Sequence, residues 1–141
     1  MLLTECGATM AAAWTFDTTD PAAVQLVITA KPLPVPWTMS RALLRDGLCA
    51  HRLSPAGEGD IQLHTRLGVL DNAQPDLRGV RRPILVIDLA PPGHHVRLFM
   101  EALIAQSFLR RTYGVVTEGR ERNIMVQQVA AAVDWFQQVQ S

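Results

Sequence analysis

The run Pro83-Ile84-Leu85-Val86-Ile87-Asp88-Leu89 constrains this chain more than any other, because Asp88 is its only polar residue. A strand with one wet face alternates apolar and polar side chains, whereas a nearly continuous apolar run predicts a strand covered on both sides. One cover is the core of the chain itself; another subunit is a candidate for the second.

Alternating strands surround this one. Ile61, Leu63, Thr65 and Leu67 share one face of a predicted strand, with Gln62, His64 and Arg66 on the other. Met10, Ala12, Trp14 and Phe16 recur at every second position, and after the turn Asp17-Thr18-Thr19-Asp20-Pro21 the pattern resumes at Val24, Leu26 and Ile28, which predicts a hairpin. Lys31-Pro32-Leu33-Pro34 breaks it, since proline cannot donate to a central ladder. Ser54 to Asp60 reads as a turn and Asp71 to Gly79 as a polar loop. Pro91-Pro92-Gly93 fits a tight turn into a second hairpin, where Val96, Leu98 and Met100 alternate with His95, Arg97 and Phe99.

Helices are punctuated differently. In Pro34-Val35-Pro36-Trp37-Thr38-Met39-Ser40-Arg41-Ala42-Leu43-Leu44-Arg45-Asp46-Gly47 the strand gives way to a short helix. Ser40 suits an N-cap, its hydroxyl oxygen accepting a backbone N–H of the first turn. Gly47 suits the left-handed residue just past the end, with Leu48 folding back on Leu43, which predicts a helix of under about two turns. Arg41 and Arg45 then fall on its exposed face. A second helix is predicted from about Glu101 to Tyr113, with Ile104, Phe108 and Leu109 inward, Arg110 and Arg111 complementing the dipole at its C-terminus, and Gly114 ending it. A third, from near Asn123, spaces Met125, Val129, Val133, Phe136 and Val139 along one stripe. Hairpins followed by late helices predict an α+β fold: an antiparallel sheet or barrel of about six to seven strands with a short internal helix and C-terminal helices.

The chain of 141 residues, 48% hydrophobic and 18% charged, fits one domain spanning residues 1–141. Thirteen basic and thirteen acidic residues cancel, so the bulk charge favours neither nucleic acid nor an anionic membrane. Cys6 and Cys49, far apart, make no disulfide framework and read as reduced, buried thiols of a cytosolic protein. Glu5 interrupts the apolar start that a signal peptide needs, and no stretch approaches the roughly 20 apolar residues that cross a bilayer.

Candidate chemistry is sparse. Ser40 lacks the glycine-flanked context of a nucleophile elbow, and as a cap its oxygen is engaged. Gly57-Glu58-Gly59 lacks the third glycine of a dinucleotide loop and the lysine of a phosphate loop, which leaves turn glycines. Cys49 with His51, and His94 with His95, fall short of the three or four converging ligands a metal needs. No pair of acidic residues is spaced for general acid–base work, so neither a catalytic residue, a cofactor nor a metal site is assigned. The basic clusters Arg78, Arg81-Arg82, Arg110-Arg111 and Arg120-Arg122 would suit a nucleic-acid surface if brought together, but with zero net charge helix capping and loop solvation are favoured, and the same arginines equally suit a protein partner's carboxylates.

The ordered set Val35-Pro36-Trp37-Thr38-Met39-Ser40-Arg41-Ala42-Leu43-Leu44-Arg45-Asp46-Gly47-Leu48, then Gly57-Glu58-Gly59-Asp60-Ile61, then Phe108-Leu109-Arg110-Arg111-Thr112-Tyr113 before Val115-Val116 and Gly119, resembles the SsgA-like sporulation and cell-division proteins of actinomycetes. The resemblance runs from about Asp17 to Glu121, and Asp20-Pro21-Ala22-Ala23-Val24 fits the family's turn into its second strand. The chain departs from the family in a shorter N-terminus, a longer loop between Asp71 and Gly79 and a glutamine-rich C-terminal helix. The resemblance implies a non-enzymatic protein, similar in fold to the whirly single-stranded nucleic-acid-binding proteins and assembled as a homotrimer around an intertwined β core. It further implies a cytoplasmic protein at division septa that helps position septum or wall machinery, with the tubulin-like division protein FtsZ or another SsgA-like protein as partner.

On that footing Arg41, Arg45, Arg110 and Arg111 are the candidate partner contacts. Trp37, Ser40, Leu44, Gly47, Gly57, Gly59, Asp60 and Phe108 are the structural residues of the motifs. The rival from a different class is a single-stranded nucleic-acid-binding module, which needs a basic groove with exposed aromatic rings; Trp14 and Phe16, on the expected core face, do not supply them.

Overall fold

The computed structural model of the chain describes residues 2–4, 9–29, 35–57, 59–70, 80–90 and 95–117. In chain order these form β1 (Leu2–Thr4), β2 (Thr9–Met10), β3 (Ala12–Thr15), β4 (Ala23–Ile28), β5 (Val35–Ser40), α1 (Arg41–Cys49), β6 (Ile61–Gly68), β7 (Arg82–Leu89), β8 (Val96–Glu101) and α2 (Ala102–Val115). The expected third helix, the break at residues 31–34 and the turn at residues 91–93 lie outside the described residues.

Two antiparallel sheets carry the α+β fold, a five-stranded one in the order β2-β1-β8-β7-β6 and a three-stranded one in the order β3-β4-β5. The eight described strands exceed the expected number through the three-residue β1 and two-residue β2, too short to give a readable alternation. Both predicted hairpins are present: Trp14 pairs with Leu26 across β3 and β4, and Val86 pairs with Phe99 across β7 and β8.

One buried cluster fills the space between the sheets and helices, with Val24, Leu26 and Ile28 from β4, Leu63 from β6, Leu85, Ile87 and Leu89 from β7, and Phe108 from α2. The apolar run that predicted a doubly covered β7 has its explanation within the chain. Leu85, Ile87 and Leu89 enter that cluster, while Ile84 and Val86 point the other way into a second one with Leu70, where Phe99 packs against them.

Two expectations of facing fail at strand and helix margins. Leu67 is 62% exposed, because it pairs with Pro83 near the end of the β6–β7 ladder, past the inter-sheet core. Ile104 is 45% exposed, because the buried stripe of α2 is Ala102, Ala105, Phe108, Leu109 and Thr112, and Ile104 stands one step outside that repeat.

Candidate functional site

Ser40 is the joint between sheet and helix. Its backbone is extended, and its hydroxyl oxygen accepts the N–H of Leu43 at 2.9 Å, so β5 ends and α1 begins within one residue, as the N-cap reading requires. The next residue, Arg41, departs from the expectation of an exposed partner contact. It is fully buried, its Nη1 donating to the carbonyl oxygens of Thr112 at 3.1 Å and Val116 at 2.5 Å, at the C-terminal end of α2. Its Cζ lies 4.0 Å from the ring centroid of Tyr113 and 5.6 Å from that of Phe16.

Carbonyl oxygens at a helix end are partially negative, and the guanidinium adds a second donor to Thr112 O, which also accepts the N–H of Val116 at 2.9 Å, and one to Val116 O. Arg110 and Arg111 do not take that role. α2 runs through Gly114 to Val115, so they stand more than a turn before its end, and the cation is supplied from 71 and 75 residues away. The backbone of Arg41 also donates to Ala22 O at 2.7 Å, tying the first hairpin into the same joint.

Gly47 likewise departs from its expected part. α1 continues past it to Cys49, and among the described residues positive φ occurs only at Gly57 and Gly59. Gly47 is instead where α1 lies closest to β6: a Cβ there would fall 2.4 Å from the Cβ of Leu63. The helix therefore has nine residues rather than under two turns, and Leu48 packs against the core from within it instead of folding back past a stop. Cys49, expected to be buried, is exposed as the last residue of α1.

The other motif residues serve the scaffold, four by packing and two by turning and anchoring the chain. Leu44 is fully buried, and Trp37 is half-buried against the core opposite Leu26. Phe108 stacks on Trp14 with ring centroids 5.8 Å apart. Gly57, at φ +97°, has no room for a side chain because Ile61 O would lie 2.5 Å from its Cβ. Gly59 turns the chain at φ +76°, and Asp60 O accepts the N–H of Ala90 at 2.9 Å.

Among the described residues, two buried side-chain nitrogens lack a hydrogen-bond partner, Trp14 Nε1 and His64 Nε2. His64 is 4% exposed, on the β6 face that the alternation assigned to polar residues, opposite the buried Val86. Burial holds its pKa below the ordinary 6.5, opposed by the carboxylate of Asp88 and reinforced by Arg66, Arg97 and Arg52. Asp88 accepts from Arg97 Nε at 2.7 Å, and Arg82 pairs with Glu101, so the polar groups around the second apolar cluster balance one another.

No group of three or more His, Cys, Asp or Glu side chains able to hold a metal occurs among the described residues. His51 is exposed, its Nδ1 accepting from Leu53 N at 3.4 Å, and does not converge with Cys49 on a strand, since Cys49 ends α1. An open groove of about 550 Å³ beside the first hairpin is lined by Thr15, Asp17, Asp20, Gln25 and Thr38 among others. Thr19 N–H, 2.9 Å from Asp17 Oδ1, holds the Asp17 carboxyl below the usual carboxylate range, and the lining contains no histidine or lysine to activate a hydroxyl. No described aromatic ring is exposed, which removes from the described surface the stacking platform that single-stranded nucleic acid needs. No described helix is long and apolar enough to cross a membrane.

The candidate contacts that stay on the surface are the remaining arginines. Arg45 is partly exposed and paired with Asp46 at 3.2 Å. Arg110 and Arg111 are exposed, alongside Leu103, Ile104 and Val115. Ile104 reads as inward because a stripe one residue out of phase gives a nearly identical pattern, and Val115 reads as lying beyond the helix because Gly114 is expected to end it, whereas α2 continues to Val115.

The motif residues thus lie at the joints of a fold whose elements and order invite comparison with known proteins. Residues 10–121 match the family described as Streptomyces sporulation and cell division protein, SsgA. The chain belongs to the SsgA family. It is 35% identical over 107 residues to the sporulation-specific cell division protein SsgB of Saccharopolyspora erythraea, a match covering 75% of this chain and 64% of that protein. SsgB of Frankia casuarinae is 33% identical over 117 residues, 82% of this chain and 71% of the relative. This SsgA-family chain therefore matches about two thirds of the length of these relatives.

Two solved structures share its fold. An SsgA-like sporulation-specific cell division protein from Thermobifida fusca superposes with a TM-score of 0.74 at 22% identity, over 94% of this chain and 90% of that one. SsgB, mutations in which correlate with longitudinal cell division during sporulation of Streptomyces coelicolor, gives 0.69 at 26% identity, over 88% and 92%.

Proposed function

We propose that this SsgA-family chain is a non-enzymatic adaptor of sporulation-linked cell division, a homotrimer of whirly-like fold that brings septum or wall-building machinery to its site through protein–protein contacts. The observation that carries the reading is the family match over residues 10–121 to proteins of sporulation-specific division. The burial of Arg41, Leu44 and Gly47 is consistent with it, because these motif residues serve the scaffold and leave recognition to the exposed surface. The partner is the division protein FtsZ or another SsgA-like protein.

A fluorescent fusion of the full chain in a sporulating actinomycete tests the reading. Foci or ladders coincident with nascent septa are expected, together with a positive two-hybrid signal against FtsZ or a sister protein. A diffuse signal throughout sporulation, with no interaction in either pairing, sinks the adaptor. Light scattering on the purified chain is expected to give three times the 15.5 kDa chain mass, and a monomer removes the trimer.

A further inference from the structure

α2 is amphipathic in an unusual way, since its outer face is itself half apolar. Leu103 is 58%, Ile104 45% and Val115 66% exposed, and between them stand the exposed Arg110 and Arg111. Each arginine follows Leu103 or Ile104 by seven residues, two helical turns, and so lies on nearly the same line of the helix. The sequence of α2 contains no acidic residue, and no ion pair among the described residues engages either arginine. Glu101, which precedes the helix, is already paired with Arg82. Isolated exposed apolar residues are ordinary, but an apolar stripe flanking two unengaged cations marks a recognition surface.

We propose that this outer face of α2 is the docking surface for a segment of a partner protein that carries carboxylates between two apolar anchors. The inference rests on the adaptor reading and names the partner chemistry of that role. Guanidinium groups take carboxylates in paired hydrogen bonds, and the flanking side chains would bury apolar anchors about 17 Å apart, the rise from Ile104 to Val115. Charge complementarity decides among occupants. A second copy in two-fold contact would set four arginines against one another. The chain's own residues 118–141 carry Glu118, Glu121 and Asp134, but Arg120 and Arg122 beside the two glutamates cancel their charge, so this segment presents no net negative stretch to the pair. Nucleic acid would meet the arginines but gain nothing from leucine, isoleucine and valine.

The test uses the full-length chain and a fluorescein-labelled amphipathic peptide of about 14 residues, with leucines near both ends and glutamates between, beside a twin with glutamine for glutamate. Anisotropy is expected to show the glutamate peptide binding at least about tenfold more tightly than its twin, and the Arg110→Glu/Arg111→Glu variant losing that advantage. A lysine-for-glutamate peptide should bind that variant in preference to the wild type. Leu103→Ser/Ile104→Ser should weaken binding of both the glutamate and glutamine peptides.

Equal binding of the two peptides, or none, overturns the proposal. A thermal midpoint lowered by several degrees in isolated Leu103→Ser/Ile104→Ser shows a segment of the chain itself covering the face, and also overturns it. So does a change of oligomeric state in either variant, which identifies a second copy as the occupant. If the peptide fails while the wild-type fusion still marks septa, the adaptor stands with another surface; a diffuse wild-type fusion removes the adaptor itself.

Discussion

Arg41 and the Arg110–Arg111 pair lie on the two sides of one helix and show what surroundings do to the same side chain. At the inner end of α2, Arg41 is buried, donates to two carbonyl oxygens and lies over the ring of Tyr113. On the outer face, Arg110 and Arg111 are exposed beside Leu103, Ile104 and Val115. A buried guanidinium that loses its acceptors leaves an uncompensated charge, so the inner site is costly to disturb; an exposed one exchanges partners with water at little cost. The inner arginine therefore holds α2 in place, and the outer pair is free to serve binding without endangering the fold.

The sharpest way to break this contrast is to truncate the inner member. Arg41→Ala removes the donor to Thr112 O and Val116 O and leaves a cavity beside Phe16 and Tyr113, for an expected loss of about 3 kcal/mol or more. Urea unfolding at pH 7 measures it, and a loss below about 0.5 kcal/mol would mean that the joint does not hold α2. Arg41→Lys, which keeps charge but not the planar fork, should recover only part of the loss.

Gly47→Ala comes next and tests the packing side of the same joint. In an exposed helix this change stabilises by about 1 kcal/mol, but here the new Cβ meets the Cβ of Leu63, which is fixed to its strand. A net destabilisation of about 2 kcal/mol is expected, and a stabilising result in denaturant titration would place α1 farther from β6. Ser40→Ala should cost about 1 kcal/mol, the value of a single N-cap, measured in the same way.

Stability should also depend on His64. Burial lowers its folded pKa below 6.5, so the unfolded chain takes up the proton first. This contribution is fully present above pH 6.5 and is lost as the pH falls below it. The thermal midpoint is expected to drop between about pH 7 and pH 5.5, and His64→Gln should flatten that segment of the curve. An unchanged slope in the variant would trace the acid sensitivity to another group.

The smallest effect is expected at the outer pair. Arg110→Glu/Arg111→Glu should leave stability within about 0.5 kcal/mol of the wild type, since both side chains are exposed and no ion pair among the described residues engages them. A loss comparable to that of Arg41→Ala would erase the distinction between the two sides of α2.

Much of this architecture was determined by the sequence through interactions that span only a few residues. The alternation in β3, β4 and β8, the doubly apolar β7 and the Ser40 cap, whose partner is three residues away, are all legible because the chain's own local geometry enforces them. The ordered motifs named the family for the same reason, as residues read in sequence. What only the tertiary structure decided is which side of a helix meets the core and which polar group meets which acceptor across the chain. Arg41 reads as a solvent-facing charge until α2 places two carbonyl oxygens above it, and Gly47 reads as a stop until Leu63 lies against it. Those partners are separated by 16 to 75 residues, so no short-range pattern encodes them; they exist only once the sheets and helices have closed around a common core.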